Sequence, residues 1–500
     1  MEDASRQAEL VREGITSSSD LVEQSLNKIE KGNSQLNAVT YLRADRALEE
    51  AKGISDHGQP FFGVPILLKG LGQKLAGEPA TASSRLLKKL VADQTDFYVQ
   101  ALQKAGFIVI GQTNAPEFGF KNITDPTLYG PTRNPWNLDY YSGGSSGGAA
   151  SSMAADFVSI ASGSDGGGSI RIPASFSSLI GLKPTRGRIP VGPTDWRTWQ
   201  GASISFALTR SVRDNARLLD AIQTVQPAAA FTTPLYEAGF FAGIDQLDRN
   251  LTIAYTTKSP VGTVVSDEAK TAVENAVDFL RSEGFQVEEQ ENPLDGKEIM
   301  QLYYLMNAGE TAAMFADIEE GIGRPTNMQD MELRSWVIYQ AGKLVTAGEY
   351  SQALSKWDIA SYQMNQFHGN YNLYLTPTTA YQAPKLTDEL ASPELLGRMK
   401  EVTSLNSSFE RQQLIYDAFL PSLALTPFTQ QANLTGEPAI SLPTHLTAAG
   451  LPLGIQFQAA KGREIDLLRI ARLFEKHNLF QFLHKTVFYF IKKLYKTTIF

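Results

Sequence analysis

The sequence predicts the α/β fold class, in which helices cover a central β-sheet. Three short apolar runs broken by glycine have the length and texture of buried strands: VPILL at 64–68, GFIVIGQT at 106–113 and DFVSIASGS at 156–164. A helical stretch at 93–105 precedes the second run and offers Phe97 and Leu102 for burial. Strands that alternate with helices in this way indicate a βαβ-like order.

The N-terminal 50 residues have helical spacing. Leu21, Val22, Leu26 and Ile29 fall on one face, behind a candidate helix cap at 17–19. The sequence therefore predicts a helical prelude to the sheet.

After residue 220 the pattern changes to turns and then to helices. Residues 221–250 are rich in turn formers, 267–284 is amphipathic, and a helical block spans about 296–365. Further strands are predicted at LTIAY (251–255), GFQVEE (284–289), LYLT (373–376), 438–443 and LGIQFQA (453–459). Since no internal repeat is visible, this order predicts one domain with a helical insertion.

Composition excludes several functional classes. The net charge of −8 and pI near 5.4 argue against nucleic-acid binding through phosphate neutralisation and favour small-molecule chemistry. The absence of cysteine excludes disulfides, thiolate metal sites and cysteine nucleophiles. The charged start MEDASRQAELVREG predicts no signal peptide, and no apolar run reaches the 18 or so residues of a membrane span. We therefore expect a soluble, cytoplasmic protein.

The segment 479–500, LFQFLHKTVFYFIKKLYKTTIF, is apolar and basic, unlike the acidic remainder of the chain. Aromatic residues and lysines combine in this way in helices that lie at membrane surfaces. A packed or poorly ordered terminal extension is the simpler interpretation, and we favour it.

Two glycine-serine stretches carry the chemical signal: SGGSSGGAASSMAA at 142–155 and SGSDGGGSIRIPAS at 162–175. Dense glycine exposes backbone N–H groups and lets a reacting group approach the main chain. Apolar flanks argue against flexible linkers. A phosphate-binding loop is disfavoured, because no GxxxxGK[ST] occurs and neither stretch contains lysine.

A GxSxG pattern at Gly144, Ser146 and Gly148 is an alternative, since it matches the nucleophile elbow of α/β-hydrolases. That elbow needs a preceding strand, for which LDYYSGG is a poor candidate, and a downstream histidine. The downstream histidines, 368, 445, 477 and 484, have no surroundings that mark them as catalytic.

Ser169 is the better nucleophile candidate. It follows three glycines and opens IRIPASF, where a strand is expected to end and a helix to begin. The backbone N–H groups of Gly166, Gly167, Gly168 and Ser169 could then form an oxyanion hole beside the attacked carbon.

A serine nucleophile needs a base, and Lys69 is the candidate. It ends the apolar run GVPILLK, where burial would lower the pKa of its ammonium toward neutrality. A lysine that merely extends its charge to solvent at a strand end is the alternative.

Taken together, these segments resemble the amidase signature family. GVPILLKG, the 142–155 stretch and SGSDGGGSIRIPASFSSLIGLKPTRGR occur in the family's order, and the resemblance covers roughly residues 1–478. Supporting segments are GFIVIGQTNAPEFGF, YGPTRNPWN, LTRSVRDN with ARLLDAI, and LTGEPAISLPTHLTAAGLPLGIQF. Within the family, the chain looks most like amidases of the 6-aminohexanoate cyclic dimer hydrolase type.

The resemblance implies a catalytic triad of Lys69, Ser145 and Ser169, with a cis peptide bond before Ser145. It places Gly143 and Gly144 on the substrate side of their loop. It further implies that Asp165 and Arg171 pair to brace the nucleophile loop. No metal and no cofactor are expected.

The resemblance also implies a fold: a mixed sheet covered by helices on both faces. Its single domain, 1–478, comprises a helical prelude (1–60), a catalytic core (61–220), a mainly helical substrate-side region (221–400) and a return to the core (401–478). Residues 479–500 lie beyond it. Dimers are common in similar amidases, so a homodimer is among the expected assemblies.

Two positions depart from the family's pattern. Gly70 stands where an aspartate commonly follows the lysine, and Gly166 stands where a larger residue is common. Gly70 is expected to change the charge environment of the lysine, and Gly166 to loosen the oxyanion loop.

The expected function is hydrolysis of a small-molecule amide through an acyl-enzyme on Ser169. One alternative is the glutaminase (A) subunit of glutamyl-tRNA amidotransferase, which shares the triad and supplies ammonia to a partner subunit. A third hypothesis is a catalytically impaired binding protein on the same scaffold. The sequence contains no motif that identifies the substrate.

Overall fold

The computed structural model describes residues 2–483 and contains thirteen strands in that range. The strands are β1 (Val39–Leu42), β2 (Pro65–Lys69), β3 (Ile108–Thr113), β4 (Arg133–Asn134), β5 (Asn137–Tyr141), β6 (Ala161–Asp165), β7 (Ile180–Lys183), β8 (Ile204–Thr209), β9 (Thr252–Tyr255), β10 (Gln286–Glu289), β11 (Leu373–Pro377), β12 (Ala439–Leu446) and β13 (Pro452–Ala459).

Eleven of these strands form one mixed sheet, in the order β1-β3-β2-β6-β8-β7-β12-β13-β11-β9-β10. Strand β2 pairs in parallel with β3 and β6, and β9 does so with β10 and β11. The other neighbours are antiparallel. All eight residues of β13 are buried, so both faces of the sheet are covered there. The predicted α/β class is confirmed.

Sixteen α-helices lie within residues 2–483. They are α1 (Ala4–Arg12), α2 (Ser18–Leu36), α3 (Ala44–Gly53), α4 (Phe97–Lys104), α5 (Gly147–Ala154), α6 (Arg171–Ser177), α7 (Val212–Ile222), α8 (Phe240–Gly243), α9 (Asp267–Ser282), α10 (Gly296–Ile322), α11 (Leu333–Gly342), α12 (Ala347–Phe367), α13 (Pro393–Lys400), α14 (Ser408–Leu425), α15 (Gln430–Thr435) and α16 (Glu464–Lys476).

Most elements fall where the apolar pattern predicts them. The helix predicted in the prelude is α2, and its cap is Ser17, whose hydroxyl accepts a hydrogen bond from the Asp20 N–H. The predicted strands at 64–68 and 106–113 are β2 and β3. The helical block at 296–365 consists of α10, α11 and α12.

Two hydrophobic cores flank the glycine-serine loops. The larger core surrounds the sheet and includes Leu67, Ile110 and Phe457. The second lies among α10, α11, α12 and α14, and it also takes in Phe118 and Phe120 from the loop after β3. The loops therefore lie where the sheet meets the helical region, a usual place for a ligand cavity.

The predicted C-terminal extension lies mostly outside the described residues. Within its described part, Leu479 and Phe480 pack against the larger core, and the Gln481 N–H donates to the Pro443 carbonyl at 2.8 Å. The alternative interpretation, an amphipathic helix, falls largely on residues 484–500, outside the described residues. No helix within residues 2–483 is long and apolar enough to cross a membrane.

A buried ion pair fastens the segment after β7 to the start of α16. The Arg188 guanidinium donates twice to the Glu464 carboxylate, each time at 3.1 Å, and both side chains are almost fully buried. Glu464 also accepts the Thr185 N–H at 2.9 Å. Arg188 holds the pKa of the Glu464 carboxyl below its usual value, although burial alone would raise it.

We expect Glu464→Gln to lower the free energy of unfolding by about 3–5 kcal/mol, because Arg188 would stay buried without a counter-charge. Urea denaturation measures the loss. Glu291→Gln is the matched control, since Glu291 pairs with Lys258 at 2.8 Å in an exposed position and its loss should change little. Equal effects of the two substitutions would contradict this assignment.

Candidate active site

Parallel strands bring the predicted base and the predicted nucleophile loop to one edge of the sheet. Strand β2 ends at Lys69, and its parallel neighbour β6 ends at Asp165. The carboxyl ends of adjacent parallel strands face the same side, which places Lys69 beside the loop 166–170.

The Lys69 ammonium lies within hydrogen-bond distance of two serines. Its Nζ is 2.7 Å from Ser145 Oγ and 2.9 Å from Ser164 Oγ. The backbone of Lys69 is held as well, because its N–H donates to the Gln73 side chain at 2.8 Å. The side chain of Lys69 is thereby directed at Ser145, the predicted bridging serine.

Burial alters the chemistry of this lysine. Lys69 is 1% exposed, and loss of hydration lowers the pKa of its ammonium to about 7, although the charge of Asp165 acts in the opposite direction. A substantial fraction of Lys69 is therefore neutral near pH 7 and able to accept a proton. The surface-lysine alternative does not fit this burial.

Ser145 lies in the loop between β5 and α5. The peptide bond from Gly144 to Ser145 is cis, as the resemblance implies. Ser145 is buried, and its hydroxyl faces Lys69.

Ser169 lies between the end of β6 and the start of α6, at the predicted position. It lines a cavity of about 700 Å³ together with Lys69 and Ser145. A smaller pocket of about 70 Å³ adjoins it and also includes Ser169 in its wall. Structure thus brings the three predicted triad residues to one cavity.

Asp165 organises the loop that carries Ser169. Its carboxylate accepts two hydrogen bonds from the Arg171 guanidinium, both at 2.9 Å, and one from the Gly168 N–H at 2.7 Å. Asn433 on α15 donates to the same carboxylate at 2.9 Å. Arg171 keeps the pKa of the Asp165 carboxyl well below its usual range despite complete burial.

Comparison with known proteins shows the family to which the chain belongs. The family model described as Amidase matches residues 20–468. The chain belongs to the amidase family. Members of this family hydrolyse carbon–nitrogen bonds of amides, and the predicted enzyme class is confirmed at that level.

Three similar proteins illustrate the match. A lipoamidase of Enterococcus faecalis is 45% identical over 471 residues, which cover 94% of this chain and 62% of that protein. A 6-aminohexanoate-cyclic-dimer hydrolase of Paenarthrobacter ureafaciens is 34% identical over 95% of this chain and 94% of its own length. The solved structure of a 6-aminohexanoate cyclic dimer hydrolase complexed with substrate superposes with a TM-score of 0.85 at 33% identity, covering 95% and 96% of the two chains.

The structure corrects the predicted oxyanion hole at one residue. The Gly168 N–H donates to Asp165 and is not available to an oxyanion. Among the described residues, the N–H groups of Gly166, Gly167 and Ser169 have no hydrogen-bond acceptor. Glycine is required at Gly168 for another reason, since its φ is +120°.

The predicted substrate-side glycines are packing positions instead. Gly143 and Gly144 are buried and line neither cavity. A Cβ atom on Gly143 would meet Pro173 at 2.8 Å, and one on Gly144 would meet the Ile123 backbone at 2.7 Å. Glycine is therefore needed here for close backbone contact, not for substrate contact.

The GxSxG alternative loses its main supports in this amidase. A strand does precede Ser146, contrary to expectation, but β5 pairs with β4 outside the central sheet. The Ser146 hydroxyl bonds the Ser164 backbone. His368, His445 and His477 bond elsewhere, to Tyr371, Glu268 and Glu283, and His484 lies outside the described residues.

Both departures from the family's pattern have a local structural reason. A Cβ on Gly70 would lie 2.8 Å from the Thr113 carbonyl oxygen. At Gly166 a Cβ would lie 2.8 Å from the indole ring of Trp199, which occupies that space. The neighbouring backbone and ring thus exclude larger side chains at these positions.

Sequence reasoning missed Trp199. Its ring stacks on Phe120, with ring centroids 6.2 Å apart, and it lines both the large cavity and the small pocket. A tryptophan in a turn-rich segment carries no local signal of this position. Within the part of the chain that the structure describes, no group of three or more His, Cys, Asp or Glu residues is placed to hold a metal ion.

We expect Asp165→Asn to lower the free energy of unfolding by about 3–5 kcal/mol, because the fully buried Arg171 would lose its counter-charge. Urea denaturation followed by circular dichroism measures the change. Asp195→Asn serves as the control, because Asp195 is exposed at the cavity mouth and makes only local turn contacts. An unchanged midpoint for Asp165→Asn would show that this carboxylate does not hold the loop.

Proposed function

We propose that this chain is a stand-alone amidase that acts on a small-molecule amide through an acyl-enzyme on Ser169. The observation that carries the proposal is the 2.7 Å contact between Lys69 Nζ and Ser145 Oγ in the wall of the cavity that Ser169 also lines. Ser145 acts as the proton relay and Lys69 as the base.

The proposed chemistry follows from this order of groups. Neutral Lys69 accepts the proton of Ser145, Ser145 accepts that of Ser169, and Ser169 Oγ bonds to the amide carbon. The N–H groups of Gly166, Gly167 and Ser169 stabilise the resulting oxyanion. The C–N bond then breaks as the proton returns to the leaving nitrogen, and water releases the carboxylic acid by the same relay.

The large cavity supports an apolar substrate portion. Its walls include Phe118, Phe120, Met314 and Trp199. We propose that they enclose the hydrocarbon part of an amide, with lipoyl amides as the first candidates because of the similarity to a lipoamidase. Charged side chains, among them Arg186, Glu310 and Asp317, also line this cavity, so its wall alone does not separate glutamine from an apolar amide.

Ser169→Ala and Lys69→Met are each expected to reduce kcat/KM by about 10⁴-fold or more, because the relay acts as a unit. Amine or ammonia release from lipoamide, hexanamide, 6-aminohexanoate cyclic dimer and glutamine provides the assay. The matched control is Ser146→Ala, which removes hydrogen bonds to the Ser164 backbone and should cost roughly fivefold or less.

The outcomes separate the alternatives. Turnover that survives Ser169→Ala would overturn the assignment of Ser169 as the nucleophile. Turnover that is lost only in Ser146→Ala would favour Ser146 as the nucleophile of a GxSxG elbow. If the purified chain turns over none of these amides, a fluorophosphonate probe decides further. Labelling at Ser169 would then favour a partner-dependent subunit, whereas no labelling would favour an impaired scaffold.

The lowered pKa of Lys69 predicts a pH profile. Because only the neutral amine accepts a proton, kcat/KM should rise about tenfold per unit up to a pH of about 7 and level off above it. Lys183→Met is the control: burial also lowers the pKa of Lys183 to about 7, but its Nζ donates to the Pro184 carbonyl and lines neither cavity.

If kcat/KM of the Lys183→Met variant still rises with pH up to about 7, the group that titrates is Lys69. A profile that is flat between pH 5 and 9 in the unsubstituted protein would contradict the proposed base. Cytoplasmic location and a homodimer stay predictions, and size-exclusion chromatography with light scattering tests the latter.

A further inference from the structure

One partly buried carboxylate in the wall of the large cavity has no counter-charge. Glu310 belongs to α10 and lines the cavity that also contains Lys69 and Ser169. Among the described residues, no lysine, arginine or histidine forms an ion pair with it. Arg197 donates instead to the side-chain oxygen of Gln200, at 3.5 Å. A carboxylate in this position attracts a cationic group that enters the cavity.

The carboxylate of Glu310 is held in place through one of its two oxygens. Its Oε1 accepts hydrogen bonds from the Tyr350 hydroxyl and from Gln200 Nε2, the latter at 3.0 Å. Tyr350 packs against α10, because a Cβ atom on Gly309 would lie 2.9 Å from its ring. The other oxygen, Oε2, has no hydrogen-bond partner in the described part of the chain and is not fully buried. A donor on a ligand can therefore reach Oε2.

The distance of Glu310 from the nucleophile loop follows from the geometry of α10. Tyr303 lies over that loop, since a Cβ atom on Gly167 would be 2.7 Å from its hydroxyl. Glu310 comes seven residues later, on the same face of the helix and about 10 Å further along its axis. Trp199 packs edge-on against Tyr303, with ring centroids 6.2 Å apart, and its neighbour Gln200 donates to Glu310. In an extended chain, this distance corresponds to roughly eight or nine bonds.

The cavity wall contains more acidic than basic side chains among its described residues. Its carboxylates are those of Asp96, Asp195, Glu310 and Asp317, and its cationic side chains are those of Lys69, Lys74 and Arg186. Burial lowers the pKa of Lys69 to about 7, so Lys69 is partly neutral near that pH. The Arg186 guanidinium already donates to three backbone carbonyls. The wall therefore favours a cationic part of a ligand over an anionic one.

We propose that Glu310 binds a primary ammonium group of the substrate, carried on a hydrocarbon chain about eight bonds from the scissile carbonyl carbon. The ammonium donates to Oε2, while Tyr350 and Gln200 keep Oε1. Met314, one turn after Glu310 on α10, and Trp199 supply apolar surface for the chain. The inference rests on the proposed function, which it deepens from amides in general to amides with a cationic end, such as ω-amino amides and monoacylated diamines.

Equilibrium binding to the Ser169→Ala variant separates recognition of the ammonium from catalysis. Two pairs of probes exchange an ammonium for a methyl group of similar size. The pair 8-aminooctanamide and nonanamide places this difference on the acyl side of the amide, and the pair N-(6-aminohexyl)acetamide and N-heptylacetamide places it on the amine side. Calorimetry gives, for each pair, the ratio of the Kd of the methyl probe to the Kd of the ammonium probe.

Glu310→Gln, added to Ser169→Ala, should lower this ratio by about tenfold or more in at least one pair, because a hydrogen bond between two charged groups is lost. The glutamine keeps the size of the side chain and an oxygen for Tyr350 and Gln200. The pair that responds identifies the side of the amide that carries the ammonium. Tyr350→Phe removes a donor that orients the carboxylate and keeps the charge, so it should lower the ratio by about two- to fivefold. This variant decides the question if Glu310→Gln does not fold.

Asp317→Asn is the matched control. Asp317 lies on the same helix, lines the same cavity and has no ion-pair partner among the described residues, but it is exposed and its charge is screened by water. The ratio should change by less than about twofold in this variant. A ratio that Glu310→Gln and Tyr350→Phe leave intact in both pairs, or that Asp317→Asn lowers equally, would overturn the assignment of Glu310. Absence of amide turnover in the unsubstituted protein would instead count against the proposed function, whatever the binding ratios.

Discussion

The buried carboxylate of Asp165 is the interaction on which the geometry of the site depends. It ends strand β6, accepts the Arg171 guanidinium at the start of α6 and accepts Asn433 from α15. The sheet, the short helix and the helical region thus meet at one charged group. Asp165 also accepts a hydrogen bond from the Gly168 N–H. The turn before Ser169 therefore has little conformational freedom, although the loop is rich in glycine.

Reactivity and stability act against each other at Lys69. Its pKa is lowered to about 7 in the folded protein and lies near 10.5 when unperturbed, so the unfolded chain retains a proton that the native protein releases between these values. Stability therefore increases with pH across this interval, and at neutral pH the buried lysine destabilises the fold. The extensive core around β2 offsets this effect, which is the usual relation between a functional site and its scaffold.

Local patterns predicted the parts of the protein that local physics determines. Strands β2 and β3 follow from short apolar runs, and the position of Ser169 follows from glycines between a strand and a helix. Strand β6 begins only at Ala161, after the apolar part of the run predicted at 156–164. Contacts over long sequence distances could not be predicted in this way. The hydrogen bond from the Gly168 N–H depends on how Asp165 is oriented, and the small pocket combines Asn122 with Gln430, which come together only through tertiary packing.

The placement of Trp199 has a consequence for how substrate range changes in this scaffold. One indole ring belongs to the walls of both the 700 Å³ cavity and the 70 Å³ pocket, and it packs against the backbone at Gly166. A smaller residue at 199 would join the two spaces and leave room for side chains at 166. The shape of the accepted substrate, forked or straight, is then decided by positions 199 and 166, so new specificities can arise by single substitutions while the side chains of the triad stay unchanged.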